Sequence, residues 1–271
     1  MNSIHGKAVM LGSGEQLKFS YTGTFKKRTD GVVEFLSNGV LTVEKTVKVD
    51  VFLVGGGASG NSSHNGTLDT ARGAAGGCGG YTKTVRNIRL TAGTPYNIVV
   101  GAGGAVQSTG EYLAGNAGGD TSAFGYMAKG GWIDPSTKYT NGGAGGSGGG
   151  AGGRNAQYIA GNGGSDGDNG GINWTSYAAG AGQGTTTREF GETTGKLYAG
   201  GGGGGNHNGA VSASTGGEGG GGNGGNSSTS AMPTSGEANT GGGGGGGCPQ
   251  RGSYYYGAAG GSGIVCIRLA V

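Results

Sequence analysis

The segment NGGAGGSGGGAGG at Asn141–Gly153 is one of several glycine tracts that alternate with short apolar segments, and glycine supplies 75 of the 271 residues. Glycine loses more conformational freedom on folding than alanine does, at a cost of roughly 0.5–1 kcal/mol for each residue. The tracts therefore either stay disordered or form a structure that only glycine can build.

The composition favours the ordered alternative. Glycine and proline together give 79 of 271 residues (75 and 4), which is in the range of low-complexity disorder. Charged residues, however, make up only 12% of the chain and the net charge is +3, whereas disordered chains usually carry a high net charge. Four prolines without a regular Gly-X-Y period exclude collagen.

Polyproline-II-type helices are an ordered form that glycine tracts can take. Such a helix has three residues per turn, rises about 3.1 Å per residue and makes no internal hydrogen bonds. Its buried backbone groups must therefore pair with neighbouring helices. Tracts of about 7 to 13 residues would span roughly 22–40 Å, and each bond between helices would contribute about 0.5–1.5 kcal/mol. We expect a bundle of many such helices.

The apolar segments predict antiparallel strands, with no helix of useful length. Asn38-Gly39 is a strong hairpin signal, and the Thr91–Pro95 connection is expected to join a second strand pair. The last segment should return to pair with the early strands. The strand-like segments are Leu17–Thr22, Val32–Leu36, Val40–Val43, Val47–Val54, Tyr81–Leu90, Tyr96–Val100 and Gly263–Val271.

These patterns together predict an all-β fold with essentially no α-helix. It would combine antiparallel, β-sandwich-like strands with a bundle of poly-glycine helices in a single domain over residues 17–271. Residues 1–16 are expected to be a leader or attachment segment. Their start, Met1–Lys7, lacks the apolar run of a signal peptide, so we expect synthesis in a cytoplasm.

The strand motifs that flank the tracts resemble the glycine-rich domain of phage and prophage tail proteins from Gram-positive hosts. The resemblance covers about residues 17–271 and implies a receptor-binding or tail-fibre component. The motifs, in order, are FSYTGTF (Phe19–Phe25), VEFLSNGVLTV (Val33–Val43), VDVFLVGGG (Val49–Gly57), GGYTKTV (Gly79–Val85), PYNIVVGAGG (Pro95–Gly104) and GGSGIVCIR (Gly260–Arg268).

Two more distant systems have similar tracts. The tip adhesins of T-even-like long tail fibres pack glycine helices in a sandwich whose end loops contact the host. Anaplastic-lymphoma-kinase-type receptors have a glycine-rich extracellular region, but no kinase segment, signal peptide or membrane span is recognisable here. The family's binding residues lie in variable loops, so no catalytic or binding residue carries over by motif.

The sequence contains no complete motif for nucleotide binding, metal binding or catalysis. Gly195-Lys196 is followed by Leu197 and so lacks the Ser or Thr of a phosphate loop. A calcium loop starting at Asp166 would need glutamate at position twelve, which is Tyr177. No histidine has metal-ligand neighbours, and no catalytic set can be assembled. We expect no enzyme activity, no cofactor, no metal, no nucleic-acid partner and no membrane insertion.

The three cysteines lie in different surroundings. Cys266 alternates on a strand and is expected to be a buried thiol. Cys78 and Cys248 both lie in glycine tracts, so a disulfide across the bundle stays open.

Eight aromatic residues in the linkers between tracts are the candidate ligand-binding residues. Tyr and Trp offer a large, rigid contact area with a polar group, and their ring faces suit stacking on sugars. The alternative is that they cap the ends of the bundle. They are Trp132, Tyr139, Tyr158, Trp174, Tyr177, Tyr254, Tyr255 and Tyr256.

The predicted function is that of a phage or phage-like tail adhesin, located on the particle's tail. Its loops would contact a bacterial surface glycan or protein receptor, and residues 1–50 would attach it to other tail or fibre proteins, with a homo-oligomer also open. A structural tail-particle or assembly protein without receptor contact is the alternative. An ice-binding or signalling module is a third, for which only Thr185–Thr187 gives a hint.

Overall fold

A computed structural model describes residues 17–63, 72–107, 113–134, 139–153, 160–172, 178–207, 214–250, 253–254 and 256–270. It confirms an all-β fold: the described residues contain no α-helix, only a 3₁₀ turn at Glu189–Gly191. The strands are β1 (Phe19–Tyr21), β2 (Phe25–Lys27), β3 (Val33–Phe35), β4 (Gly39–Val43), β5 (Val47–Val54), β6 (Thr82–Leu90), β7 (Pro95–Val99), β8 (Thr121–Ala123), β9 (Tyr126–Ala128), β10 (Pro249–Gln250), β11 (Ser253–Tyr254) and β12 (Ile264–Leu269).

The strands form two five-stranded antiparallel sheets and one short hairpin. Sheet A has the order β1-β4-β7-β8-β9, sheet B has the order β2-β3-β12-β5-β6, and β10 pairs with β11. The last long strand, β12, lies between β3 and β5, with Val265 opposite both Phe35 and Leu53. The predicted return of the chain end to the early strands is therefore confirmed.

Both faces of sheet B are buried along β5 from Val49 to Val54, which explains why this strand is apolar at the consecutive positions Val51–Val54. Val49, Val51 and Leu53 point into a core shared with Leu41 and Ile98 of sheet A. The intervening side chains point to the opposite face, where a second core is closed by residues of the 187–199 segment. There the Phe52 ring packs against the rings of Phe190 and Tyr198, with centroids 6.1 and 5.3 Å away.

Both expected hairpins are wrong. β3 lies in sheet B and β4 in sheet A, so the Asn38-Gly39 turn carries the chain from one sheet to the other. Asn38 supports this crossing because its Oδ1 accepts the Val100 N–H at 2.7 Å. β6 and β7 likewise lie in different sheets, β6 in sheet B and β7 in sheet A. With consecutive strands in opposite sheets, Phe35 of β3 and Leu41 of β4 enter the same core from its two sides.

The glycine tracts lie beyond the strands and bond to one another through their backbones. In the tract that follows β5, the N–H groups of Gly55, Ala58 and Asn61 donate to residues 81, 78 and 75. The N–H groups of Gly56 and Ser59 donate instead to residues 119 and 116, in another segment. Gly57 and Gly60 donate to a third segment, at residues 261 and 258. Successive residues thus bond to three different neighbours, and the pattern repeats every three residues.

The same three-residue repeat links three tracts in a closed ring. The Gly76 N–H donates to the Gly150 carbonyl at 2.9 Å, and the Gly150 N–H donates to the Gly202 carbonyl at 2.9 Å. The Gly202 N–H then returns to the Gly77 carbonyl at 2.7 Å. Three residues further along, residues 73, 153, 205 and 74 form an equivalent ring. Residues 73–80 and 199–207 are buried throughout, so these bonds form the interior of this half of the molecule.

The three cysteines are free and buried, so the open possibility of a bridge between Cys78 and Cys248 is not realised. The Cys78 thiol donates instead to the Ala144 carbonyl at 2.9 Å. Burial raises the pKa of Cys78 and that of Cys248 to about 12, and raises the pKa of Cys266 well above its ordinary value.

Substituting an interior tract glycine tests the tract packing. A Cβ at Gly202 would lie closer than 3.0 Å to the backbone of Gly244, a separation that real side-chain carbons do not reach. We expect Gly202→Ala to lower the free energy of unfolding by about 3 kcal/mol. Gly93→Ala is the control, because Gly93 has a φ of +71° and nothing within 4 Å of a Cβ; its cost should be about 1 kcal/mol. Guanidinium titration measures both, and equal losses would contradict the packing.

Thiol reactivity tests whether the three cysteines are free and buried. Since the pKa values of the buried thiols are raised, the native protein at pH 8 should not react with Ellman's reagent within an hour. Unfolding in guanidinium without a reductant should release all three thiols. Release of only one would show that Cys78 and Cys248 are bridged.

Candidate functional site

The tract ends that lie farthest from the sheets gather in one place, which we call the loop end and define by Asn61, Gly73, Gly153, Gly205 and Gly247. The Gly73 N–H donates to the Gly153 carbonyl at 2.7 Å, and the Gly153 N–H donates to the Gly205 carbonyl at 2.9 Å. The Gly247 N–H donates to the Asn61 carbonyl at 3.0 Å. The connections that adjoin these tract ends in the sequence therefore begin or end at neighbouring points.

The side chain of Asn61 links separate segments of the chain at the loop end. Its Oδ1 accepts the Gly115 N–H at 2.8 Å, while its Nδ2 donates to the carbonyls of Tyr139 and Asn141 at 2.8 and 3.3 Å. The side chain is almost fully buried, at 1% exposure. Because its backbone also bonds to Ala75, Asn61 fixes the relative positions of several tract ends.

The structure brings three of the predicted aromatic residues to the loop end. Tyr139 is half-buried, and its carbonyl accepts hydrogen bonds from the Ala75 N–H and from Asn61. Tyr256 is half-buried and directly precedes Gly257, which packs against the backbone of Asn61. Tyr254 lies on β11, where it pairs with Pro249.

Trp132 is placed elsewhere, so the eight aromatic residues do not form one group. Its backbone exchanges two hydrogen bonds of 3.0 Å with Ala144. Its carbonyl lies 3.4 Å from the Cys78 sulfur, at the level of Ala58 in the middle of a tract. The indole is 52% exposed, so Trp132 lies on the flank of the tracts. The predicted residues Tyr158, Trp174, Tyr177 and Tyr255 lie outside the described residues.

Sequence reasoning missed two kinds of residue. One is the set of asparagines that bond across tracts: Asn162 and Asn223, like Asn61, accept backbone N–H groups of other segments, at 3.0 Å from residues 215 and 216. Their signal was an asparagine beside glycine at tract ends. The other kind is exposed residues with apolar, non-aromatic side chains, Ile172 at 73% and Met232 at 64%, for which the sequence gives no distinct signal.

His207 follows the tract end at Gly205 and is buried, at 9% exposure. Its Nδ1 lies 3.4 Å from the Ser227 hydroxyl. Burial lowers the pKa of the imidazole below its ordinary value of 6.5, so the ring is neutral at neutral pH. A neutral, enclosed imidazole adds no charge to the loop end.

Across the described ranges, no group of three or more His, Cys, Asp or Glu side chains could hold a metal ion. The same part of the chain has no helix long and apolar enough to cross a membrane. The threonine run is not a flat exposed array, because Thr187 is fully buried and the Thr186 hydroxyl donates to Asp166.

Comparison with known proteins identifies the domain. A family model described as a glycine-rich domain matches residues 37–270. The chain belongs to this glycine-rich domain family. No curated protein matches it significantly. Membership of the glycine-rich domain family fits the tract architecture, and the matched range contains both β-sheets apart from β1, β2 and β3.

Replacing Asn61 tests whether the loop end depends on it. Asn61→Ala removes three side-chain hydrogen bonds and leaves the Gly115 N–H without its acceptor. We expect a loss of about 3 kcal/mol in the free energy of unfolding. Asn97→Ala is the matched control, because Asn97 is exposed on β7, and it should stay within about 0.5 kcal/mol of wild type. Similar values for both variants in guanidinium titration would refute the role of Asn61.

Proposed function

We propose that this glycine-rich domain protein is a phage or phage-like tail adhesin that presents the connections at its loop end to a bacterial surface ligand, in the first place a glycan. The observation that carries the proposal is the convergence of separate tract ends, held together by backbone bonds and by Asn61. A rigid frame whose stability depends on backbone contacts leaves its connecting segments free to vary in sequence, as binding loops do on other scaffolds.

We further propose that the tracts are polyproline-II-type helices packed as a bundle. The support is the three-residue repeat of the hydrogen bonds, because a helix with three residues per turn directs every third N–H to the same side. The repeat holds along residues 55–62, which bond to segments around residues 78, 116 and 258. Helical bundles of this kind would give the frame its rigidity.

Ligand recognition is assigned to the linker aromatics named above. Tyr139 and Tyr256 are half-buried at the loop end, so each leaves part of its surface available. The exposed indole of Trp132 offers a second contact on the flank. Binding would be non-covalent and without turnover, so the proposal includes no catalytic residue, cofactor or metal.

Attachment to other tail or fibre proteins is proposed through residues 1–50, in keeping with a location on the particle's tail. β4 and β5 meet at a turn that lies at the far end of the sheets, since β5 runs from Val47 there to Val54 next to the first tract. Lys18 bonds to Glu44 at this same turn, its carbonyl accepting the Glu44 N–H at 3.0 Å. Attachment and recognition would then use opposite ends of the molecule.

The binding test uses purified protein and fractionated host cell walls. Tyr139→Ala, Trp174→Ala and Tyr256→Ala combined should lower affinity for the glycan fraction about tenfold or more. Tyr126→Ala is the matched control, because Tyr126 is an exposed tyrosine on sheet A, and it should leave affinity unchanged.

The same experiment separates the alternative of an assembly or capping protein. A wild-type protein that binds no host fraction, together with particles that fail to assemble without it, would favour that alternative and overturn the adhesin proposal.

A further inference from the structure

Charge is unevenly divided between the two halves of the molecule. The strand region, counted as residues 17–54, 82–100 and 264–270, holds ten basic and four acidic residues, a net charge of +6 against +3 for the whole chain. Two of the four acidic residues, Glu34 and Asp50, are buried and paired with arginines. Much of the basic charge on the sheets therefore has no carboxylate partner within them.

Lys48 and Arg89 are the clearest example of basic residues without a carboxylate partner. They are directly opposite each other on β5 and β6, so their side chains share the outer face of sheet B. Both are exposed. Like charges opposite each other destabilise a strand pair, and the nearby Asp50 is engaged by Arg86 at 2.9 Å and Arg268 at 3.4 Å. The ion pairs found among the described residues leave Lys48 and Arg89 without a counter-charge.

An open groove adjoins this pair. It has a volume of about 320 Å³ and lies between β6, β7 and the turn at Phe124-Gly125. Its lining combines apolar and aromatic surface with one arginine, and the rings of Tyr96 and Phe124 pack edge to face with centroids 5.5 Å apart. The lining residues are Ile88, Arg89, Leu90, Pro95, Tyr96, Asn97, Phe124 and Gly125.

Among the described residues, β6 is also the outermost strand of sheet B, with β5 as its single neighbouring strand. An edge strand directs every second pair of backbone N–H and C=O groups away from its sheet, and an extended peptide can add to it there. A second copy of this chain would place β6 against β6 and bring the basic residues Lys83, Arg86 and Arg89 close to their counterparts. An acidic strand meets no such repulsion.

We infer that the β6 edge and its groove receive an extended, acidic segment of another protein, with apolar side chains in the groove and carboxylates on Lys48 and Arg89. The backbone edge favours a polypeptide over a saccharide, because only another extended backbone matches its hydrogen-bonding groups. This inference rests on the proposed use of the sheets for attachment. It extends the proposed attachment surface from residues 1–50 to β6, and it gives the chemistry of the partner as an acidic polypeptide segment.

The test uses two synthetic probes, acetyl-(Glu-Leu)4-amide and acetyl-(Lys-Leu)4-amide, with backbone amide spectra of the full chain. The Glu-Leu peptide should shift the amides of Ile88, Arg89, Leu90, Tyr96 and Gly125, and the Lys-Leu peptide should not. The double variant Lys48→Gln/Arg89→Gln should lower its affinity about tenfold. The melting temperature of the same variant should stay level or rise, because the variant removes a like-charge pair.

Lys83→Gln is the matched control, since Lys83 is an exposed lysine on β6 that lies over the Tyr126 ring instead of in the groove; its affinity should change less than twofold. Equal binding of both peptides, no shift with the Glu-Leu peptide, or stronger binding of uronic-acid oligosaccharides at the same residues would each overturn the inference. Host-wall binding by the double variant is measured in parallel. Its retention alongside lost peptide binding supports separate ends, whereas peptide binding retained by the double variant overturns the inference. Normal peptide binding by a wild-type chain that binds no host fraction would count against the loop-end proposal alone.

Discussion

The whole structure depends on how each tract distributes its backbone hydrogen bonds. Consecutive residues donate to three different neighbouring segments, and the order repeats every three residues. A tract in this arrangement has backbone on three sides, so an added Cβ meets a carbonyl oxygen at nearly every interior position. Glycine is required at these positions because no space is left for a Cβ. Its large conformational cost is offset by the backbone bonds between tracts.

The sheets give this arrangement its register. β5 continues directly into the tract at Gly55, β6 begins after the tract that ends at Tyr81, and β12 follows the tract that ends at Gly263. These strands are adjacent in sheet B, and the Gly55 N–H still donates to the Tyr81 carbonyl just beyond the ladder. Strand pairing thus sets the alignment of tracts that have no side chains to specify it.

Much of the fold was readable from the sequence, and the failures have physical causes. Strand positions followed from alternation and β-branched composition, and they agree with the structure to within a few residues. The hairpins at Asn38 and Thr91 failed because turn chemistry does not reveal whether the next strand stays in its sheet. The short strand β2, with all three residues exposed, carried no apolar alternation to predict it.

The loop end was less predictable than the strands. Aromatic composition singled out Tyr139 and Tyr256, which lie there, but it also grouped them with Trp132, whose position depends on a pairing with Ala144 in a different tract. Which tract ends meet is decided by contacts between distant backbones, and glycines carry no side-chain pattern from which to read those contacts. Asn61 could have been suspected only as a polar residue next to the tract glycine Gly60.

Amide hydrogen exchange of the tract glycines tests the central claim most directly. If each tract is held by neighbours on three sides, the amides of Gly77, Gly150 and Gly202 should exchange only through global unfolding, with the same free energy as the amides of β5 and β12. Exchange of those glycine amides within seconds, while the strand amides stay protected, would contradict a frame built from backbone bonds.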